Sequence, residues 1–213
     1  KSWSWFSFIQ RWYMGSLEMK NKFIKIAKNV IDLEIDGLRK LKKFINPSFN
    51  DAVAAIARSP SKVILGGVGK SGLIASKIAS TLSSVGTPSF SISANDCSHG
   101  DLGSITKKDI LILISNSGNS SELKNIIQYA NRYRIKLISI VSKKNSILYK
   151  NSNIRLLIPE TKEAGFGLVP TTSTSVQLSL GDALAISVMN FKKFSQLDFK
   201  KFHPAGSLGK RLQ

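Results

Sequence analysis

The residues most suited to chemistry in this chain are hydroxyl and amide donors gathered in three short loops. Each loop follows an apolar run and precedes a helix-compatible stretch. Lys62-Val63-Ile64-Leu65-Gly66 leads into Gly67-Val68-Gly69-Lys70-Ser71-Gly72. Ile110-Leu111-Ile112-Leu113-Ile114 leads into Ser115-Asn116-Ser117-Gly118-Asn119-Ser120-Ser121-Glu122, and Gly167-Leu168-Val169-Pro170 into Thr171-Thr172-Ser173-Thr174-Ser175. A strand-to-helix turn leaves unpaired N–H groups at the positive end of a helix dipole, a natural seat for phosphate. Serine and threonine hydroxyls add donors and caps. Gly69, Ser71, Ser115, Ser117, Ser120, Thr171 and Thr174 are therefore the candidate phosphate-binding positions.

Both histidines also lie in loops. His99 stands in Ser98-His99-Gly100-Asp101-Leu102-Gly103, and His203 in His203-Pro204-Ala205-Gly206. A histidine in a polar loop at the carboxyl edge of a sheet is a candidate for proton transfer. Gly67-x-Gly69-x-x-Gly72, with Asp96 beyond it, matches a dinucleotide fingerprint, but such a site needs no second and third hydroxyl-rich loop. A Walker A loop fails because Ile64 stands where its first glycine belongs. Two histidines and one cysteine, without CxxC or HxxxH spacing, make a structural zinc site unexpected.

The elements that must position these loops are legible as periodicity. Ser16 reads as the cap of a helix to about Phe44, with Ile24, Ala27, Ile31, Leu38, Leu41 and Ile45 on one stripe and Pro47 ending it. Ser48 to Asp51 resembles a capping box opening a short helix. Strands are expected at 62–66, 88–93, 109–114, 136–141 and 154–158. Helices are expected at 71–84, 120–133 (capped by Asn119, with Glu122 at its third position) and Thr172 to Phe191. Alternating strands and helices mean βαβ units, a parallel sheet and a three-layer α/β/α sandwich.

Composition narrows the class. The chain has 213 residues and a formal net charge of +18. Its lysines are dispersed and no aromatic RNA-binding signature accompanies them. A solvated basic surface is favoured over nucleic-acid binding, and its field still attracts a small phosphorylated anion. No apolar run approaches the roughly 20 residues that span a bilayer, so no stable membrane insertion is expected. The lone Cys97 suits a reducing compartment. Residues 1–15, aromatic and basic, read as an extension of uncertain status before a domain over 16–213.

Seven blocks in order carry a resemblance. They are Gly67 to Gly72, Gly86-Thr87-Pro88, Ser98 to Gly103, Ser115 to Gly118, Pro170 to Thr174, Gly181-Asp182-Ala183-Leu184-Ala185, and His203 to Leu212. Together they resemble the sugar isomerase (SIS) domain of D-arabinose 5-phosphate isomerases of the KdsD/KpsF type, over about residues 20–213. The resemblance implies a flavodoxin-like five-stranded parallel sheet. It also implies a cytoplasmic aldose–ketose isomerase that interconverts D-ribulose 5-phosphate and D-arabinose 5-phosphate, supplying Kdo for lipopolysaccharide or capsule. The family's important polar positions fall on Lys70, Glu122, Glu163 and His203, with His99 in the second loop.

On that reading Glu163 is the carbon base and His203 or His99 moves protons between oxygens. Lys70 offsets the enediolate charge and Glu122 orients Lys70 or a hydroxyl. No metal or organic cofactor is needed. Family members form tetramers, which implies sites shared between subunits. The chain departs from the family at Asp96, Cys97, Asn119 and Ala205, and its Glu163–Leu168 segment is one residue shorter. Longer members continue into a pair of CBS modules. The competing reading is a sugar-phosphate-binding SIS module without turnover.

Overall fold

The computed structural model describes residues 5–203, with side chains from residue 21 onward except that of Ser98. The block after His203 therefore lies outside the described residues. Two helices come first, α1 (Trp5–Phe44) and α2 (Pro47–Ala57). Then follow β1 (Val63–Gly67), α3 (Lys70–Ser84), β2 (Ser89–Ser93), two 3₁₀ turns (Asp96–His99 and Asp101–Ser104) and β3 (Ile110–Ile114). The chain continues through α4 (Leu123–Arg132), β4 (Lys136–Val141), α5 (Ile147–Lys150) and β5 (Ile154–Leu157). A single turn α6 (Gly165–Leu168), the long α7 (Thr172–Phe191) and α8 (Gln196–Phe202) complete it.

All five strands are parallel in the order β2-β1-β3-β4-β5. Leaving β1, the chain turns one way to β2 and then crosses back to β3 on the other side. The β1 and β3 carboxyl ends thus form the switch point, where open α/β sheets bind ligands. Alternate side chains of β1, β3 and β4 feed two cores. Leu65, Ile112 and Ile138 pack under α2, α3 and α7 with Ile56, Ile78 and Leu184, whereas Ile64, Leu111, Leu113 and Leu137 pack under α4 with Leu123 and Ile126. Strands covered on both faces need apolar residues at both parities, and β3 is buried at every position.

Three local expectations are corrected. The first helix starts at Trp5, so Ser16 is interior rather than a cap. The second is capped by Asn46, whose side chain accepts from the Ser48 N–H with Pro47 at the first helical position, and not by Ser48. At the third, Glu122 occupies the cap position of α4, and Asn119 instead accepts from Ile147 N–H at 2.9 Å, at the start of α5. The α1 stripe is also only partly buried. Leu41 is in the core, while Ile24 and Ile31 are more than half exposed.

At the amino edge a buried carboxylate ties two loops. Asp109 accepts from the Ser61 hydroxyl (2.6 Å), the Thr106 N–H (2.6 Å) and hydroxyl (2.9 Å), and the Lys62 ammonium. Burial alone raises its pKa; the Ser61, Thr106 and Lys62 bonds outweigh that and hold it below the ordinary carboxylate range. A depressed folded-state pKa stabilises the fold above the unfolded-state value, and that contribution disappears as pH falls through the folded one. Asp109→Asn should cost about 1–3 kcal/mol at neutral pH. It should also flatten the acid limb of stability below the ordinary carboxylate range, as read by urea unfolding at a series of pH values.

Candidate functional site

The carboxyl edge is built by backbone turns. β1 ends on Gly67, directly against the first turn of α3: a Cβ on Gly67 would sit 2.8 Å from the Ser71 carbonyl group. Gly69 adopts φ 57°, ψ −126°, which only glycine takes without strain. The tight turn delivers Lys70 and Ser71 as the first residues of α3. Lys70 is exposed and forms no ion pair among the described residues. The Ser71 hydroxyl donates to Gln177 Oε1 at 3.1 Å. Gln177 is fully buried on α7, and its Nε2 has no partner among the described residues.

The β3–α4 loop lies next door, because Gly67 pairs with Ile114 in the sheet. Ser115 is buried, accepts from the Gly118 N–H (3.0 Å) and lies 3.3 Å from the Ser120 hydroxyl. Ser117 is exposed and accepts from the Asn119 N–H. Glu122 accepts from the Ser121 hydroxyl at 3.1 Å. Neither α3 nor α4 carries a side-chain cap. At α3 the Gly72 N–H turns back to the Gly69 carbonyl (3.0 Å), and at α4 the Leu123 and Lys124 N–H groups donate to the Ser120 and Ser121 carbonyls (3.2 and 3.1 Å), so the α3 start, with Lys70 and Ser71, is the more open of the two.

The third loop is different. Glu163 Oε2 accepts from Thr171 N–H (2.9 Å), Ser173 N–H (3.2 Å) and the Thr171 hydroxyl (3.3 Å). Burial pushes the Glu163 pKa up, but the Ser173 hydroxyl, the two amides and the Thr171 hydroxyl outweigh it, so the carboxyl is held below its ordinary value. The anion at the α7 N-terminus is therefore Glu163 itself. The Thr174 hydroxyl is likewise engaged, donating to the Thr171 carbonyl at 2.7 Å. Of Thr171 and Thr174, expected as phosphate ligands, Thr171 gives its N–H and hydroxyl to the carboxylate, while Thr174 bonds only to the Thr171 carbonyl. Ser71 contacts Gln177 one turn beyond Ser173, so the starts of α3 and α7 share one corner of the edge.

His99, exposed, ends a 3₁₀ turn just after β2 on the same edge. His203 does not join them. Its Nδ1 lies 2.8 Å from the Phe199 carbonyl oxygen and its ring stacks on Phe199 at 3.9 Å. The preceding end of α7 is fixed at the amino edge, where Lys192 donates to the Thr87 hydroxyl (2.9 Å) ahead of β2. The length of α7, about 30 Å for its 20 residues, separates the α8 region from the site. Cys97 is buried close by; burial, with the charges of Asp101 and Asp96, pushes its thiol up to about 11, so it is no nucleophile.

Sequence reasoning missed Gln177 and Ser173. The signal for Gln177 was a lone amide in the apolar run Val176-Gln177-Leu178-Ser179-Leu180. Among the described residues no three His, Cys, Asp or Glu side chains gather as metal ligands, and no helix is long and apolar enough to cross a membrane.

A doubly wound sheet whose carboxyl edge carries two helix starts without side-chain caps and a clamped carboxylate defines an open α/β domain. The family is explicit in comparison: residues 56–187 match the SIS domain model, and the chain belongs to the SIS domain family. It is 44% identical over 191 residues to the arabinose 5-phosphate isomerase KdsD of Yersinia pestis, covering 89% of this chain and 58% of that protein. The corresponding Francisella tularensis protein is 45% identical over 193 residues, covering 89% and 59%. This chain thus spans somewhat over half the length of these relatives. An E. coli CFT073 protein solved in complex with arabinose 5-phosphate superposes with a TM-score of 0.83 at 34% identity, covering 86% of this chain and 98% of that one.

Proposed function

We propose that this chain is the catalytic domain of an aldose–ketose isomerase interconverting D-ribulose 5-phosphate and D-arabinose 5-phosphate, feeding Kdo for lipopolysaccharide or capsule. One observation carries it: an ionised Glu163, clamped by α7, shares an edge with two uncapped helix starts. The names of the 44% and 45% identical relatives and the arabinose 5-phosphate bound to the E. coli protein support the choice of sugar.

The phosphate sits on the Ser115–Ser121 turn, with Ser115, Ser117 and Ser120 as hydroxyl donors. Gly69 and Ser71 bring the α3 start towards the sugar. Glu163 removes the proton from one carbon and returns it to the neighbouring one, through an enediol. Lys70 offsets the charge that develops on oxygen, and Glu122 orients Lys70 or a sugar hydroxyl. A histidine carries the proton between oxygens. None of these transfers calls for a metal or cofactor, and the setting is cytoplasmic.

His203 acts on a neighbouring subunit's site within a homotetramer. Its seat at the far edge supports this, as does the apolar surface left on α1 by the exposed Ile24 and Ile31. Glu163→Gln and His203→Asn should each be weakly active alone. Co-expressed, they should regain activity through hybrid sites; no gain on mixing rejects the sharing.

The direct test incubates purified protein with ribulose 5-phosphate and follows arabinose 5-phosphate. Saturable conversion is expected. Saturable binding without conversion marks a non-catalytic sugar-phosphate module, which the left-handed backbone of Phe166 in the shortened Glu163 loop would favour.

A further inference from the structure

A cavity of about 580 Å³ opens at the amino edge of the sheet, on the far side from the Glu163 site. Arg58, Lys107, Lys108, Arg134 and Lys136 line it, and among the described residues none of these five forms an ion pair. The acids facing it are Asp51 and Asp109, and Asp109 is already matched by Lys62 at 3.2 Å. Positive charge is therefore in clear excess.

The cations stand on a rigid frame. The Asp109 N–H donates to the Thr106 carbonyl at 3.0 Å, making a turn with Lys107 and Lys108 at its tip. The Asp109 carboxylate locks that turn to Ser61, and the Ser59 hydroxyl reaches the Lys108 carbonyl at 3.4 Å. The Arg58 guanidinium lies over the Phe191 ring at 5.5 Å.

Arg134 supplies an independent observation. Ile135 N–H donates to Ala130 O (2.8 Å) and Arg134 N–H to Asn131 O (3.2 Å), the paired bonds of a Schellman ending. That places Arg134 at φ 54°, where glycine is the low-strain choice. Cations do offset carbonyl dipoles at helix ends, which would account for Arg58 and Arg134. It does not account for Lys107 and Lys108 on a turn, or for Lys136 opening a strand.

We propose that this amino-edge cavity is a binding site for a nucleoside di- or triphosphate, separate from the sugar-phosphate site. Four or five cations suit a polyphosphate better than a single phosphate monoester. The cavity falls in the size range of small-molecule sites, and Ala54, Pro60, Ile110 and Ile154 give it an apolar wall for the nucleoside. The site stands independently of the isomerase reading.

The test titrates ATP without magnesium into the full chain by calorimetry, with tripolyphosphate, duplex RNA and arabinose 5-phosphate as separate arms. ATP should bind, more weakly as salt rises, and arabinose 5-phosphate should not displace it. The Lys107→Ala/Lys108→Ala variant should lose about tenfold or more in ATP affinity. Arg134→Gly should bind more weakly yet melt about 2 °C or more higher, because the strain is relieved; isomerisation should be unchanged in both variants. Absence of ATP binding overturns the proposal. So does displacement by arabinose 5-phosphate, affinity unchanged in the variants, or duplex RNA binding that ATP and tripolyphosphate do not compete with.

Discussion

Glu163→Gln is expected to lower kcat about 10²–10⁴-fold while leaving KM nearly unchanged. The amide keeps a carbonyl oxygen to accept from Thr171 and Ser173 N–H, so the α7 start stays capped and the fold intact. What disappears is the ability to take a proton from carbon. Steady-state kinetics with ribulose 5-phosphate, beside a melting curve, separates the two. The wild-type pH profile carries a matching signature. A carboxyl held below its ordinary value is ionised at lower pH, so the acid limb of kcat/KM assigned to Glu163 lies below the usual glutamate range. A limb above that range, or a Gln variant of full kcat, removes Glu163 from the chemistry.

The largest structural effect is expected at Gly118. Its φ is 67°, and a Cβ there would run into the Ser146 side chain and Val141. Its carbonyl also accepts from the Leu148 N–H at 3.0 Å, linking the serine turn to α5. Gly118→Val adds left-handed strain for a β-branched residue to overpacking. Together these cost about 3–5 kcal/mol. Urea unfolding should show the loss, and substrate affinity should fall with it because Ser115, Ser117 and Ser120 hang on this turn. A variant as stable as the parent would mean the turn is not the tight anchor described.

The parallel sheet and the three-layer sandwich were legible because buried parallel strands leave a clear sequence trace, whereas the strand order was implied only by the family resemblance. β3 as Ile110-Leu111-Ile112-Leu113-Ile114 serves both cores and can be little else. The three donor loops were legible for the same reason, as breaks after such runs. Capping was less so. Asn119 and Ser48 have the right chemistry for caps, but Asn46, two residues before Ser48, takes the α2 cap, and the N–H that Asn119 reaches lies on a segment distant in sequence. Asn119 serves α5, 28 residues away. Thr171 and Thr174 looked like phosphate ligands, and only the fold brings Glu163 back to take the α7 start. Gln177 was invisible as a site residue because its partner Ser71 lies 106 residues earlier. The amino-edge cations were diluted in a uniformly basic chain, and their convergence is purely a matter of topology.

The account depends on phosphate binding at the β1 and β3 turns while Glu163 keeps the α7 start. A crystal structure of the protein soaked with arabinose 5-phosphate tests this most directly. The prediction is phosphate density against the Ser115–Ser121 turn, with the sugar extending towards Lys70 and Glu163. Phosphate on the Thr171–Thr174 turn with Glu163 displaced, or sugar phosphate only at the amino edge, would contradict it.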